Sequence, residues 1–228
     1  RTSRKVENLS QIFKSLKEHL GLSREIKLIE SYDISHHSGS GAVGGCVVYS
    51  SSGKLKDKYR LFNISKKNSG DDIASMKEVI LRRFSNEDLR LENPSLILID
   101  GGKAHLNIVK KTLYELNIEG IELLSISKGA RRKAEMDSIH RVNKPVMRII
   151  KGSIAHLFLQ EIRNETHRFS ITIQKKKQIK LSSRSFLDDL IGIGVKRKKQ
   201  LIRYFGSVEQ VKRASAQDLM NVPSLGKK

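Results

Sequence analysis

The sequence predicts an α/β protein, a mixed sheet with flanking helices, followed by a small all-α domain. Three observations predict it. Short apolar runs alternate with longer stretches of helical periodicity through most of the chain. Two of those runs end on a carboxylate, at Asp33 and at Asp100. Apolar content then gives way to a basic stretch, beyond which short helical segments meet at glycine turns.

The elements come in order. Val6, Leu9, Ile12, Phe13, Leu16 and Leu20 recur at helical spacing, so residues 5–20 form an amphipathic helix that packs on the strands after it. Residues 26–34 read as a strand, and residues 43–50 and 55–64 as two more joined by the turn Ser51-Ser52-Gly53. Three consecutive strands with a tight turn predict an antiparallel meander. Asp71 and Asp72 open a helix to about Phe84, where acidic side chains suit the N-terminal turn. A strand at 95–100, a helix at 103–116 and a strand at 121–126 complete a β-α-β-α-β order. Residues 128–150 read as basic and irregular, and a long helix spans 152–172. Residues 174–184 carry five Lys or Arg with little apolar content and read as a flexible linker.

Composition narrows the partner. The chain has 228 residues, and 44 Lys and Arg against 24 Asp and Glu give a net charge of +20, which points to a polyanion such as nucleic acid. A generic basic surface is the plainer alternative. Tryptophan is absent and aromatics are 5%, so phosphate contacts are expected to outweigh base stacking. The single cysteine, Cys46, excludes a disulfide framework and a Cys-rich zinc site and fits a reducing cytoplasm. No apolar run approaches the ~20 residues of a membrane span. Arg1 and Lys228 both read as cut ends of a longer protein.

The run Ile97-Leu98-Ile99-Asp100-Gly101-Gly102 delivers one carboxylate to the rim of a sheet, with glycines that admit a close anion or metal. Leu28 to Ile34 does the same with Asp33. If the two strands are neighbours, Asp33 and Asp100 share a site for Mg²⁺ or Mn²⁺, hard cations that take oxygen ligands and activate water in phosphodiester hydrolysis. The plainer reading makes each aspartate a turn former at a strand end. His167 lies on the helix face opposite Ile154, Phe158, Ile162 and Phe169, together with His156 and Arg163. By itself that position describes a solvated surface histidine.

Residues 26–173 closely resemble the C-terminal nuclease domain of the C component of excinuclease ABC, the bacterial nucleotide-excision-repair endonuclease. The segments that carry the resemblance are Tyr32-Asp33-Ile34-Ser35-His36, Gly70-Asp71-Asp72, Leu98-Ile99-Asp100-Gly101-Gly102-Lys103, Ser127-Lys128-Gly129-Ala130 and Ile162-Arg163-Asn164-Glu165-Thr166-His167-Arg168-Phe169, in that order. The resemblance implies a ribonuclease H-like fold and a catalytic, metal-binding set of Asp33, Asp100 and His167. It departs at Asn164, where the family usually has Asp; that position is not one of the catalytic three. His36 lies inside a matched motif and orients a ligand or makes a structural hydrogen bond. Lys103, Lys128, Arg131, Lys133, Arg163 and Arg168 are candidate phosphate contacts, each with a plainer reading as surface charge.

Residues 186–202 place Gly192-Ile193-Gly194 between two helices, with Lys196, Arg197, Lys198 and Lys199 beside the second helix's free N–H groups. This resembles a helix-hairpin-helix DNA-binding motif, with glycines expected at positive φ or in close contact with phosphate. A second copy runs from Asp218 to Gly226, with Ser224 in the place of Gly192. The predicted organisation is an N-terminal helical segment at 1–25, the nuclease domain at 26–173, a basic linker at 174–184 and a tandem hairpin domain at 185–228 whose second hairpin is truncated. The implied partners are damaged double-stranded DNA and the B component of excinuclease ABC, whose binding segment the resemblance places upstream. The implied reaction is incision on the 5′ side of a lesion. The rivals are another ribonuclease H-like nuclease and a non-catalytic DNA-binding module.

Overall fold

The structure, a computed structural model, describes residues 2–37, 41–85, 92–127, 137–188 and 193–223. It divides into two compact units, residues 1–174 and 175–228.

In the first unit, helix α1 (Thr2–Leu20) precedes strands β1 (Leu28–His37), β2 (Gly41–Ser50), β3 (Gly53–Lys54) and β4 (Arg60–Asn63). The segment expected as one strand at 55–64 is thus broken by a 3-10 turn at Lys56–Lys58. Helix α2 (Asp72–Ser85), strand β5 (Leu96–Asp100), helix α3 (Lys103–Glu115) and strand β6 (Glu122–Ser127) come next, as the apolar periodicity requires. Two short strands, β7 (Ser138–Arg141) and β8 (Met147–Arg148), replace part of the irregular stretch expected at 128–150. Helix α4 runs from Ile154 to Asp188, so the backbone is helical where the sequence reads as a flexible linker. Its basic residues contain no Pro or Gly to break the helix.

The sheet has the order β3-β2-β1-β5-β6-β7-β8, with β4 also paired to β2. β1 to β4 form the expected antiparallel meander. β1, β5 and β6 run parallel, and β7 and β8 return antiparallel. Each face is sealed by helices. On one, Phe13, Leu16 and Leu20 of α1 and Phe158, Leu159 and Ile162 of α4 bury Ile29, Leu96 and Leu98. On the other, Met76, Val79 and Ile80 of α2 and Leu106, Val109 and Leu113 of α3 bury Tyr32, Ile97 and Ile99. The strand period of two therefore sends odd-numbered positions of β1 toward α4 and even-numbered ones toward α2.

Two features adjust the fit. Gly45 lies opposite Asp33 in the β1–β2 register, and a Cβ there would collide with Ser170 of α4; the glycine lets that helix settle onto the strand. On the α2 face, Glu30 accepts from Arg83 Nη2 at 2.8 Å and from Tyr32 Oη at 2.5 Å, in a pair that is 1% and 3% exposed. Asp71 caps α2 by accepting from the amides of Ile73 and Ala74, whereas Asp72 pairs with His36.

In the second unit, α5 (Val195–Phe205), α6 (Val208–Arg213) and α7 (Ala216–Met220) enclose a small core of Leu201, Val208, Val211 and Val222. Ser215 and Asp218 form a capping box at the start of α7. Among the described residues no helix is long and apolar enough to cross a membrane.

Candidate active site

β1 and β5 are parallel neighbours with Ile29 opposite Leu96 and Tyr32 opposite Ile99. Extended by one step, that register would match Asp33 with Asp100 at the end of β5. Matched residues on adjacent parallel strands point to the same face, with the strands about 4.8 Å apart. That face is covered by α4, whose Thr166 hydroxyl meets the Ser31 hydroxyl at 2.8 Å.

Arg163 and His167 are four residues apart on α4 and so stand one above the other on its surface. His167 Nδ1 donates to Asp33 Oδ2 at 3.2 Å, and Arg163 Nε donates to Asp100 Oδ1 at 3.0 Å. Ser35 Oγ adds a second bond to Asp33 Oδ2 at 2.9 Å. The carboxylate only accepts, so Nδ1 of His167 is a protonated nitrogen; in the neutral imidazole Nε2 is then the acceptor. The His167 side chain is 59% exposed, while that of Asp33 is 8% exposed. The site is thus a buried acid under an open imidazole.

These side-chain bonds to His167, Ser35 and Arg163 all fall on Oδ2 of Asp33 and Oδ1 of Asp100. Among the described residues these bonds leave the other oxygen of each carboxylate, and Nε2 of a neutral His167, as acceptors. Among the described residues no three His, Cys, Asp or Glu side chains stand close enough together to hold a metal ion. The donor chemistry still fits Mg²⁺ or Mn²⁺, which accept carboxylate oxygen and, for Mn²⁺, imidazole.

Two residues near the site differ from expectation. Arg163 is not on a solvated face: its side chain is 10% exposed and its Nη1 donates to Asp137 Oδ2 at 2.8 Å. A helical wheel misses this because it separates apolar from polar positions, and a polar position that meets strand carboxylates is buried all the same. It also puts Ile154 on the core face, where the structure leaves it 57% exposed. Asp137 is invisible in sequence because it sits in a basic stretch with no periodicity.

The other candidate contacts scatter. Lys103 is exposed at the start of α3. Burial, and then the nearby Lys103 charge, hold His140 below the ordinary imidazole value. Arg168 makes two bonds to Glu165, at 3.1 and 2.8 Å. Those bonds, with Lys54, hold the Glu165 carboxyl below the usual range. In the second unit Lys196, Arg197 and Lys199 are exposed on α5 and Lys198 is half-buried. Gly194 caps α5 with φ −73°, an ordinary value, and a Cβ there would meet nothing. The expectation of positive φ is therefore wrong at Gly194. His36 pairs with Asp72 on the sheet face away from Asp33. Lys128, Arg131, Lys133, Gly192 and Gly226 lie outside the described residues.

UvrABC system protein C of Saccharophagus degradans is 40% identical over 218 residues, covering 95% of this chain and 36% of that protein. The Desulfatibacillum aliphaticivorans protein of the same name is 42% identical over 225 residues, covering 95% of this chain and 37% of that protein. The chain thus spans a little over a third of these relatives. Among solved structures, Streptomyces avermitilis endonuclease V aligns over 75% of this chain and 94% of its own, at 11% identity and a TM-score of 0.39. Residues 17–171 match the model of the UvrC RNase H endonuclease domain. The chain belongs to the UvrC RNase H endonuclease domain family.

Proposed function

We propose that this chain is a divalent-metal-dependent DNA endonuclease of nucleotide excision repair that hydrolyses a phosphodiester bond on the 5′ side of a lesion in the damaged strand. The reading is supported by the parallel pairing of β1 with β5, whose register leads toward Asp33 and Asp100 at one end of the sheet, and by the bond between His167 and Asp33. The relatives' name, UvrABC system protein C, supplies the repair context.

Bound Mg²⁺ or Mn²⁺ supplies Lewis acidity to the phosphate and lowers the pKa of a water molecule. Asp33, Asp100 and His167 hold it. Ser35 fixes Asp33, and the Nδ1–H bond to Asp33 fixes the imidazole orientation. The exposed edge of His167 faces solvent, where a phosphodiester has access. Lys103, Arg168 and the basic side chains of α5 give phosphate contacts, with Gly194 opening the α5 N-terminus to an anion. The B component of excinuclease ABC joins through a segment of the longer protein.

The test is nicking of a bubble-containing duplex with Mg²⁺ or Mn²⁺. Asp33→Asn, Asp100→Asn and His167→Ala should each lower the rate by roughly 10²-fold or more, beyond the roughly 10–100-fold loss typical of an outer partner of a metal ligand, because each removes a ligand itself. DNA affinity should stay within a few-fold. A variant that nicks within a few-fold of the unaltered chain removes its residue from the set.

A further inference from the structure

Asp100 has a companion outside the catalytic set, read from the sequence as a phosphate contact but buried against two acids. Arg163 holds Asp100 Oδ1 through Nε at 3.0 Å and Asp137 Oδ2 through Nη1 at 2.8 Å. Gln160, one turn earlier on α4, donates to the same Asp137 oxygen at 2.6 Å. Asp137 is 6% exposed, and its Oδ1 is buried with no hydrogen-bond partner among the described residues. Asp100, by contrast, is 22% exposed. One rigid fork of donors therefore joins an enclosed acid to an open one.

A cation beside a metal ligand opposes metal binding unless its charge is balanced. Asp137 provides that balance. Asp33, Asp100 and Asp137 carry three negative charges and Arg163 one positive, which leaves two negative charges to meet one divalent cation. Without Asp137, Arg163 would neutralise Asp100 and leave a single negative charge. The bond through Nε also restrains the Asp100 carboxylate at Oδ1.

Resting on the endonuclease reading above, we propose that Arg163 is a positioning residue which, with Asp137 as its counter-charge, orients Asp100 for the divalent cation and makes no contact with DNA. Being 10% exposed, its guanidinium is not presented to a phosphate backbone. Its partner Asp137 touches neither metal nor substrate and acts only through Arg163.

The experiment measures Mn²⁺ binding by electron paramagnetic resonance on the full chain, before any substrate is added. Asp137→Asn keeps shape and removes the counter-charge. It should weaken Mn²⁺ binding by roughly tenfold or more, the scale of losing an outer partner of a metal ligand. Arg163→Lys keeps charge but loses the fork and should weaken it similarly. Arg163→Gln should bind duplex DNA in EDTA with an unchanged salt dependence. If Arg163 contacted phosphate, the slope of log K against log salt would fall by about one. Circular dichroism confirms folding, and a merely structural pair would lower the unfolding midpoint while leaving Mn²⁺ affinity per folded molecule unchanged. If Asp33→Asn abolishes Mn²⁺ binding but Asp137→Asn binds as the unaltered chain does, the positioning role is wrong and the endonuclease reading stands. If the unaltered chain binds no Mn²⁺, both fall together.

Discussion

Each face of the sheet carries an arginine from a helix paired with an acid from a strand, and the two pairs have opposite surroundings. On the α2 face, Arg83 and Glu30 are 3% and 1% exposed, and both Glu30 oxygens are filled, one by Arg83 and the other by Tyr32. On the α4 face, Asp100 is 22% exposed and accepts from Arg163 on one oxygen, Oδ1. The first pair is complete and serves the core. The second uses one Asp100 oxygen and is partly exposed. A buried ion pair alone therefore says little about function; partial exposure is what separates the second pair from the first.

The sharpest way to break this contrast is to remove the closed pair. Arg83→Met leaves Glu30 charged and enclosed, and breaking a buried pair on one side costs about 3–5 kcal/mol. Urea unfolding should show that loss. Nicking per folded molecule, measured below the lowered midpoint, should stay within a few-fold, because Glu30 points away from Asp33. Replacing the whole set, Arg83→Met and Glu30→Leu with Tyr32→Phe to remove the hydroxyl that Glu30 accepts from, should recover most of the stability, since an apolar cluster of similar volume is often neutral. A single variant that stayed stable but lost nicking would place the closed pair in the reaction and erase the difference between the faces.

Much of this contrast is legible in the sequence, and the illegible part has definite causes. Asp33 and Asp100 stand out because an apolar strand must bury its side chains and a terminal carboxylate escapes only at the rim. The β1–β5 pairing that unites them is a long-range register, which local periodicity does not encode. His167 falls on the polar face of its helix in the sequence, and there it lies, with a strand acid beneath it. Arg163 reads as solvated because the wheel does not reveal that Asp100 and Asp137 wait across the gap. Residues 174–184 read as a linker since they lack an apolar stripe, yet nothing in them stops a helix once α4 has started. The short strands β7 and β8 are lost in a basic stretch because two to four residues carry too little alternation to recognise.

A middle-sized effect sharpens the contrast within the α4 face. Glu165 lies on α4 two residues before His167 and accepts from Arg168, Lys54 and the Tyr59 hydroxyl. Its acceptors are well used, so it resembles Glu30 more than Asp100. The Arg168 hydrogen bonds, foremost, hold its folded pKa below the ordinary value. A depressed carboxyl contributes stability above the unfolded value of about 4.3 and loses it as pH falls through the lower folded value. Glu165→Gln should therefore be less stable than the unaltered chain at about pH 7, with the gap narrowing as pH falls through about 4. Thermal unfolding across that range gives the curve. A gap that widened in acid would mean the folded carboxyl is raised, and Glu165 would then belong with Asp100.

The smallest effect lies at the surface of the closed face. Lys77 of α2 reaches Glu115 of α3 at 3.1 Å, with side chains 36% and 39% exposed. Lys111 approaches the same carboxylate at 3.9 Å from one turn earlier on α3, so Glu115 keeps a cation if Lys77 is lost. Water and salt screen such a pair, and fixing two long side chains costs entropy that offsets the attraction. Lys77→Ala should lower stability in urea unfolding by less than about 0.5 kcal/mol and by still less at high salt. This bridge spans two helices of the layer that Arg83 and Glu30 help to fix to the sheet, but without their burial. A loss comparable to that of Arg83→Met would mean that charge pairing itself, at any depth, sets the stability of this face, and enclosure could no longer be the property that separates its pair from Asp100 and Arg163. The expected small loss isolates enclosure as the variable, because the same type of contact changes its energetic weight with depth alone.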